Sequence, residues 1–439
     1  MIGLLFTFIC VAFFVSIGLA DKPSLPLGPV KLSFSAFDSR AFLGLTTALS
    51  FLVLLVAKTR THKQRALAWF SIPLTAFVLY RSGTTPYGPF VAFAEAEQCQ
   101  AGQTCYPQIH ISDRQSVDCS RSTGNSDSEA PLAFQSGDYI RSDPSWSPDR
   151  RHIVFAQSLQ TGLKQPSDSF RLYVGDVSEA PNWRLSSPVL LLGQTGSAAN
   201  EPAWSSKNVI AFTQGGEVFL VKTDDTILSS RVDKQLPTKL AVGQRPAWSP
   251  DGSLLAFTRS PTATTAEVWV AQVDINSLSI VGQPHLIAGP AKDSEAFGGA
   301  AWIDNRTLLL VHDNNTAPAA KPLPQATTDL VSVAVDETGN LTSSPKLVKG
   351  SQAAKEVAVS PNEKYVAFTS TLNAPAETLL LANLQKEGTG SFALSGSPWA
   401  VSCGAYAFHP SWGATPEPPY KRWLRNWKDP RGIITGTAV

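Results

Sequence analysis

A turn that recurs along the chain limits its fold more than any other feature of the sequence. The clearest copy lies in 245-RPAWSPDGSLLAFTRS-260, where Ser249-Pro250-Asp251-Gly252 has the composition of a β-turn. Proline presets φ at the second position, aspartate bonds local backbone amides, and glycine accepts a positive φ without steric penalty. The segment from Leu254 to Thr258 is apolar on both faces, which predicts a strand covered on both sides. The hairpin is therefore expected inside a stack of sheets.

The hairpin recurs, which is the signature of a repeat protein. Aligned on the residue before the turn, the anchors of the six copies are Trp146, Trp204, Trp248, Trp302, Val359 and Phe408. They lie 44 to 58 residues apart, close to the roughly 40 to 50 residues of a propeller blade. Most copies are followed by a second strand pair such as 267-EVWVAQV-273. We predict an all-β fold, a six-bladed β-propeller. Five or seven blades remain alternatives, because two copies depart from the pattern and the sixth has no evident second half.

The full pattern also carries a family resemblance. The sequence P-x-W-S-P-D-G-x-x-[apolar]-A-F, followed by a strand of the E-V-W-V type, resembles the repeat of TolB-type propellers. The resemblance covers about residues 130 to 412, and Arg245–Val273 is its best match. TolB-like propellers serve as protein-binding platforms of the bacterial envelope, so the resemblance implies such a role here and identifies architecture better than activity.

The first 95 residues differ in composition from the rest and contain three apolar segments. Met1 to Ala20 carries no charge and is long enough to cross a bilayer core of roughly 30 Å, and Ala41 to Ala57 is a second predicted transmembrane helix. Ala66 to Tyr80 contains Pro73 and is interpreted either as a third span or as a re-entrant or interfacial segment. We favour an uncleaved anchor over a cleaved signal peptide for Met1 to Ala20, because it lacks a basic n-region.

The loop 58-KTRTHKQR-65 sets the predicted topology, because it holds four lysines and arginines and no acidic residue. By the positive-inside rule this loop is cytoplasmic. The propeller then lies on the extracytoplasmic side if Ala66 to Tyr80 spans the membrane, and in the cytoplasm if it does not. The predicted division of the chain is 1–95, a membrane region with two to three transmembrane helices; 96–130, a cysteine-containing linker; 131–415, the propeller; and 416–439, a basic and aromatic tail.

Cysteine usage favours the extracytoplasmic placement. Cys99, Cys105, Cys119 and Cys403 are an even number outside the apolar segments, and they are not accompanied by histidines at zinc-site spacing. Disulfides in an oxidising compartment explain them best, with four buried free thiols as the alternative. A Cys99–Cys105 bond would close a small loop. A Cys119–Cys403 bond would clasp the start of the propeller to its end.

The sequence contains few signals of catalysis or of nucleic-acid binding. A net charge of +1 gives no electrostatic reason to expect nucleic acid. The G-x-S-x-G motif of hydrolases is absent, and the six histidines are scattered without a metal-binding motif. A cluster of ionisable groups at one mouth of the propeller channel would favour an enzyme, and the linear sequence shows none. We therefore predict no catalytic, cofactor-binding or metal-binding residues.

The tail 420-YKRWLRNWKDPR-431 mixes basic residues with tryptophans. It is interpreted either as an amphipathic element that contacts anionic headgroups or a partner, or as a segment packed along the last blade. For the whole chain we predict a membrane-anchored, non-enzymatic propeller that binds a protein partner or supports envelope assembly. The alternatives are a hydrolase or lyase with an active site in the channel, and a ligand-sensing module coupled to the membrane helices.

Overall fold

The structure, a computed structural model, describes two parts of the chain that are compact units in themselves. The described residues are 24–27, 30–33, 91–96, 107–112, 130–131, 139–149, 151–159, 170–177, 188–191, 198–223, 236–262, 265–291, 295–314, 328–370, 378–388, 390–401 and 406–413. Their regular elements are all β-strands. Within these ranges there is no helix of the length and apolarity needed to span a bilayer.

Several predictions fall on residues outside these ranges and stay predictions. They are the three apolar segments of residues 1–20, 41–57 and 66–80, the four candidate disulfide cysteines Cys99, Cys105, Cys119 and Cys403, and the 416–439 tail. The unit formed by Met1–Gly88 and Thr415–Val439 contains one described element, an antiparallel hairpin. Its strands are β1 (Ser24–Leu27) and β2 (Val30–Ser33).

The second unit, Pro89–Ala414, consists of six four-stranded antiparallel sheets. Its strands are, in chain order, β3 (Val91–Ala96), β4 (Gln108–Ser112), β5 (Ala130–Pro131), β6 (Tyr139–Trp146), β7 (His152–Leu159), β8 (Arg171–Asp176), β9 (Val189–Leu190), β10 (Ala199–Trp204), β11 (Val209–Gln214), β12 (Glu217–Lys222), β13 (Thr238–Val242), β14 (Gln244–Trp248), β15 (Leu254–Arg259), β16 (Glu267–Asp274), β17 (Ser279–Ala288), β18 (Glu295–Trp302), β19 (Thr307–Asn314), β20 (Thr328–Val335), β21 (Leu341–Leu347), β22 (Ala354–Val359), β23 (Tyr365–Ser370), β24 (Thr378–Gly388), β25 (Ser391–Ala400) and β26 (Tyr406–Trp412).

The strand order within the sheets is that of a β-propeller. Blades two to six each use four consecutive strands, in the orders β6-β7-β8-β9, β10-β11-β12-β13, β14-β15-β16-β17, β18-β19-β20-β21 and β22-β23-β24-β25, and the first blade has the order β26-β3-β4-β5. The first strand of each sheet packs against the first strands of both neighbouring sheets, so these six strands line a closed ring. The prediction of an all-β, six-bladed propeller is confirmed.

The first blade joins the two ends of the propeller. Strand β26 pairs antiparallel with β3, with Trp412 opposite Val91 and Tyr406 opposite Ala96. A backbone hydrogen-bond ladder therefore closes the ring, and it removes the free edges that separate end blades would expose.

Because the first blade includes β3, the propeller begins at about Pro89 in the structure, whereas the sequence predicts a start at residue 131. Strands β3, β4 and β5 lie in the stretch that the sequence analysis divided between the membrane region and the linker, and they supply the second half that the sixth repeat lacked. The motif follows the inner strand of a blade, and the inner strand of this blade is at the other end of the chain. Repeat alignment therefore could not find these three strands.

The burial of the strands follows their position in the blade. Strands β11 and β15, second in their sheets, are buried on both faces except at their last residue. The third strands β12 and β16 alternate more, and the outer strands β13 and β17 are largely exposed. The two-faced apolar run from Leu254 to Thr258 is thus covered by neighbouring blades, as the sequence predicts.

The recurring turn is held by its serine. The Ser249 hydroxyl accepts a hydrogen bond from the Leu254 backbone N–H at 2.9 Å and donates to the Asp251 carboxylate at 2.7 Å, and Gly252 has a φ of 66°. The same acceptor role is played in other blades by Ser147, Ser205 and Ser360. A buried hydroxyl therefore fixes the turn that begins the second strand.

Candidate functional site

Five of the six inner strands carry a β-bulge at the same place. The register shifts lie between Ser142 and Ser145, Asn200 and Ala203, Gln244 and Ala247, Gly298 and Ala301, and Phe408 and Ser411. Each bulge contains a residue in the left-handed region, and these are Asp143 (φ 53°), Glu201 (51°), Arg245 (54°), Gly299 (56°) and His409 (52°). A positive φ costs a non-glycine residue on the order of 1–3 kcal/mol, and such strain concentrates at functional sites.

The sixth blade places its bulge between Ala354 and Glu356. Glu356, which directly follows this bulge, stands three residues before Val359, and the positive-φ residues of the other five bulges each stand three residues before a tryptophan. We call the set contributed by the six blades the channel ring, and it consists of Asp143, Glu201, Arg245, Gly299, Glu356 and His409.

The channel ring lines a cavity of about 650 Å³. The cavity extends from the ring to the turns that follow the inner strands, where Ser206, Pro250 and Asn305 contribute to its wall. Its volume is within the range of roughly 300–1,000 Å³ that is usual for ligand sites in proteins. The bulges thus turn a set of ionisable side chains toward a space large enough to hold a ligand.

His409 contacts a carboxylate on each side. Its Nδ1 pairs with Asp143 of the second blade, and its Nε2 lies 3.2 Å from Oε1 of Glu356 of the sixth blade. The backbone N–H of His409 also donates to Glu356, and the Ser142 hydroxyl donates to Asp143 at 2.9 Å. Three consecutive blades are therefore linked at the point where the two ends of the propeller meet.

The pKa values of this cluster are set by burial and by the neighbouring charges. Burial lowers the pKa of His409, but attraction to and hydrogen bonding with Asp143, together with attraction to Glu356, outweigh that effect and raise it to about 9. Burial raises the pKa of Asp143, but the charge and hydrogen bond of His409 and a hydrogen bond from Ser142 hold it below its usual range. At neutral pH the cluster contains an imidazolium beside the ionised carboxylate of Asp143.

Glu201 and Arg245 form a second part of the ring. The Glu201 carboxylate accepts hydrogen bonds from the Thr213 hydroxyl at 2.8 Å and from the Arg245 backbone N–H at 3.0 Å. The Arg245 Nε lies 3.4 Å from Glu201, and the Arg245 side chain is 46% exposed. Glu201 is therefore hydrogen-bonded through Oε2 and lies near the guanidinium through Oε1, while nearly half of the Arg245 side chain is exposed at the cavity.

The tryptophan anchors pack between blades. The indole N–H of Trp248 donates to the Ala203 carbonyl at 3.2 Å, and that of Trp302 donates to the Ala247 carbonyl at 2.9 Å. Each acceptor belongs to the preceding blade and directly precedes its anchor. Trp146 and Trp204 are buried at the equivalent ends of their inner strands.

The anchor of the last repeat is Trp412, where the sequence alignment placed Phe408. The Trp412 indole N–H donates to the Ala358 carbonyl at 3.0 Å, which reproduces the bond made by Trp302. Ala358 precedes Val359, so Val359 occupies the position that the tryptophans occupy in the other blades. Phe408 lies before the bulge and makes an edge contact with His409. The alignment shifted because this copy has no Ser-Pro turn after its tryptophan.

The linear sequence shows no cluster of ionisable residues, whereas the folded chain brings Asp143, Glu356 and His409 into contact at the cavity. A signal was present three residues before four of the six anchors, in D-P-S-W, E-P-A-W, R-P-A-W and H-P-S-W. The alignment error at Phe408 hid the match of His409, and the residues otherwise come together only when the six blades close.

Three of the other described histidines make contacts elsewhere. His152 pairs with Asp176, and His312 pairs with Glu295. His110 is buried and stacked on Phe93, and burial lowers its pKa to about 4. In the part of the chain that the structure describes, no three His, Cys, Asp or Glu side chains are placed to hold a metal ion.

The architecture and site define a six-bladed propeller with a charged ring in its channel. No protein-family model matches this chain, and no curated protein sequence matches it. Solved structures with a similar fold include TolB from Acinetobacter baumannii, with 14% identity, a TM-score of 0.44, and coverage of 77% of this chain and 70% of that one.

They also include two enzymes. A puromycin-hydrolysing peptidase from Mycobacterium tuberculosis has 14% identity and a TM-score of 0.40, with 72% of this chain and 47% of that chain covered. A thermostable family-43 glycoside hydrolase has 12% identity and a TM-score of 0.37, with 61% and 96% covered. These similarities concern the fold alone, and the function has to be argued from the site.

Proposed function

We propose that this chain is a membrane-anchored, non-enzymatic propeller whose channel cavity binds part of a protein partner. The observation that carries the proposal is the cavity of about 650 Å³, which is walled by residues of all six inner strands. A concave site of this size buries a small ligand or an inserted segment of a partner, and a rigid ring of blades is well suited to hold one.

The bonding within the ring supports a binding role over a catalytic one. Asp143, Glu201 and Glu356 each accept hydrogen bonds or form ion pairs with neighbouring ring residues. Their charge is used to hold adjacent blades together. A carboxylate engaged in this way is a poor general base, because a base must be free to take the proton of its substrate.

The membrane anchorage and the extracytoplasmic location are parts of the same proposal. They are supported by the apolar segments of residues 1–20 and 41–57, by the basic loop 58–65 and by the four cysteines outside the apolar segments. A reporter that is active only in the cytoplasm should give no signal when fused after Val439 and should give a signal when inserted at Lys63. A signal after Val439 would place the propeller in the cytoplasm.

Partner capture by the full chain tests the binding role. Ser206 is exposed on the cavity wall, so Ser206→Trp should obstruct the cavity without disturbing the core. Gln283→Trp is the matched control, because Gln283 is exposed on the outer strand of the fourth blade. A protein that crosslinks to the unmodified chain and to the control, and fails to crosslink to Ser206→Trp, supports the proposal. Equal capture by both variants would exclude the cavity as the binding site.

A hydrolase or lyase is the second candidate, and the placement of His409 favours it. The imidazole is 32% exposed and lines the cavity between two carboxylates. With a pKa of about 9 it holds its proton at neutral pH, so it could act as a general acid but not as a general base. Turnover of an ester, peptide or glycoside substrate that disappears in His409→Gln would establish this alternative and refute the non-enzymatic role.

A further inference from the structure

The channel ring repeats one bonding pattern across adjacent blades. The carboxylate of a ring residue accepts the backbone N–H of the ring residue in the next blade: Asp143 accepts from Glu201, Glu201 from Arg245, and Glu356 from His409. In the third blade a threonine on the second strand adds to this, since the Thr213 hydroxyl donates to Glu201 at 2.8 Å. A carboxylate at this position therefore satisfies donors from two blades.

The fourth blade has the equivalent threonine donor, but an arginine replaces the carboxylate acceptor. Thr258 stands opposite Gln244 as Thr213 stands opposite Asn200, so it is the equivalent threonine. The ring residue of this blade is Arg245, which has no acceptor atom in its side chain. The Thr258 hydroxyl is buried and has no hydrogen-bond partner among the described residues. The same holds for Thr369, which stands opposite Glu356 in the sixth blade, so the unpaired hydroxyl is not specific to the blade with the arginine.

The next ring position adds no side chain beside Arg245. Gly299 has no side chain, and it adopts a φ of 56°, where its neighbours in the ring carry ionisable groups. A Cβ added at Gly299 would lie 3.2 Å from the Val311 side chain, so a larger residue is disfavoured there. Both Arg245 and Gly299 line the cavity.

The Arg245 guanidinium has donors to spare. It approaches Glu201 through Nε at 3.4 Å, and nearly half of its side chain is exposed. Arginine presents a planar fork of N–H donors that matches the two oxygens of a carboxylate, and such bidentate pairs are among the stronger interactions in proteins.

We propose that the channel ring binds a carboxylate group of the partner between the fourth and fifth blades, with the Arg245 guanidinium as its principal donor and the space beside Gly299 as its seat. The inference rests on the proposed function, because it names the chemistry of the group that the cavity takes. The carboxylate comes either from an aspartate or glutamate side chain or from a chain terminus.

The other charged residues of the ring already have partners, which leaves Arg245 as the residue that can bind a carboxylate. The ring carboxylates Asp143 and Glu356 are paired with His409, and Glu201 is held by Thr213 and Arg245. The guanidinium is the basic group of the ring with unused donors. A partner carboxylate is therefore selected by its hydrogen bonds to Arg245 and not by the net charge of the cavity.

Calorimetric titration of the full chain with short peptides tests the proposal. The probes are N-acetylated, C-amidated heptapeptides of alanine and glycine whose central residue is Glu, Gln or Lys, and an all-neutral heptapeptide with either a free or an amidated C-terminus. We expect one carboxylate probe to bind at least about tenfold more tightly than its neutral counterpart, as the loss of a hydrogen bond to a charged group implies. The pair that shows the preference identifies the source of the carboxylate.

Variants of Arg245 assign the binding to this residue. Arg245→Gln should remove the preference for the acidic probe, and Arg245→Lys, which keeps the charge and loses the fork, should reduce it. Arg245→Glu places a carboxylate from the chain where Glu201 has one in the third blade, so this variant should fold and should bind no acidic probe. Arg259→Gln is the matched control, because Arg259 belongs to the same blade and bonds the Val242 carbonyl outside the cavity.

Three results would overturn the proposal: equal affinity for acidic and neutral probes, tighter binding of the lysine probe, or no binding of either carboxylate probe to the unmodified chain. An undiminished preference for the acidic probe in the folded variants Arg245→Lys and Arg245→Glu would also overturn the proposal. Partner capture that is lost in Ser206→Trp and retained in Arg245→Gln would refute the carboxylate site and leave the binding role intact. A preference for the carboxylate probes without any captured protein would support the carboxylate site and contradict the protein-binding role.

Discussion

The imidazole of His409, on the last strand of the propeller, pairs with the carboxylate of Asp143, on the first strand of the second blade. The two residues are separated by almost the whole propeller in sequence. Their contact, together with the pairing of β26 with β3, locks the blade in which the chain ends meet.

Stability should therefore depend on pH above neutrality. The pKa of His409 is raised from 6.5 to about 9 on folding, so the folded chain holds a proton that the unfolded chain releases. The stabilisation is complete below about pH 6.5 and is lost as the pH rises through about 9. His409→Gln should flatten this part of the melting-temperature profile and destabilise the chain at pH 7 by roughly 2–4 kcal/mol, because Asp143 is left buried without its cation.

Thermal melts between pH 6 and pH 10 measure this effect. His285→Gln is the control, since His285 lies on the outer strand of the fourth blade, and its profile should match that of the unmodified chain. The lowered pKa of Asp143 affects stability on the acidic side. The stabilisation from its ionised carboxylate is present near neutral pH and is lost as the pH falls through the pKa of Asp143 in the folded chain. An unchanged alkaline profile in His409→Gln would show that the pair does not hold the ring.

The contribution of an indole hydrogen bond between blades should appear as a difference in free energy of unfolding between two Trp→Phe variants. Trp302→Phe removes the bond to the Ala247 carbonyl and should cost about 1–2 kcal/mol beyond the loss of packing. Trp204→Phe is the matched control, because the Trp204 indole N–H has no partner among the described residues. Chemical denaturation of both variants gives the two free energies of unfolding. Equal losses would mean that the Trp302 bond adds nothing to packing.

The turn serine should matter more than its neighbours. Ser249→Ala leaves the buried Leu254 N–H without its acceptor and removes a bond to Asp251, so we expect a loss of about 1–3 kcal/mol. Ser253→Ala removes a hydroxyl that bonds the same Asp251 carboxylate from a half-exposed position, and it should cost less than half as much. Urea denaturation compares the two variants. A larger loss for Ser253→Ala would contradict the role assigned to the Ser249 hydroxyl.

Closure of the ring by β26 predicts where the chain tolerates truncation. A chain that ends at Ala414 keeps the strand from Tyr406 to Trp412 and should unfold cooperatively. A chain that ends at Gly404 loses the inner strand of the first blade, which exposes the edge of β3 and should cause aggregation. Size-exclusion chromatography and thermal unfolding distinguish the two. A monomeric, cooperative Gly404 chain would show that the ladder is dispensable.

Local features were predictable because their partners lie close together in the chain. The serine of 249-SPDG-252 bonds residues two and five positions away, and the apolar run from Leu254 to Thr258 has to be covered whichever blades flank it. The blade repeat follows from the recurrence of this hairpin. The turn, the two-faced strand and the six-bladed propeller were therefore determined by the sequence alone, with the blade number open by one.

The composition of the first blade and the existence of the channel ring were decided only by the tertiary structure. Val91 and Trp412 become partners because the ring closes, and Asp143, Glu356 and His409 meet because the inner strands of three blades converge on one axis. Neither relation leaves a periodic signal in a single segment. Contacts across the ring depend on how the six sheets are positioned around the propeller axis. Packing between neighbouring blades sets those positions, and the local conformational preferences of single residues do not.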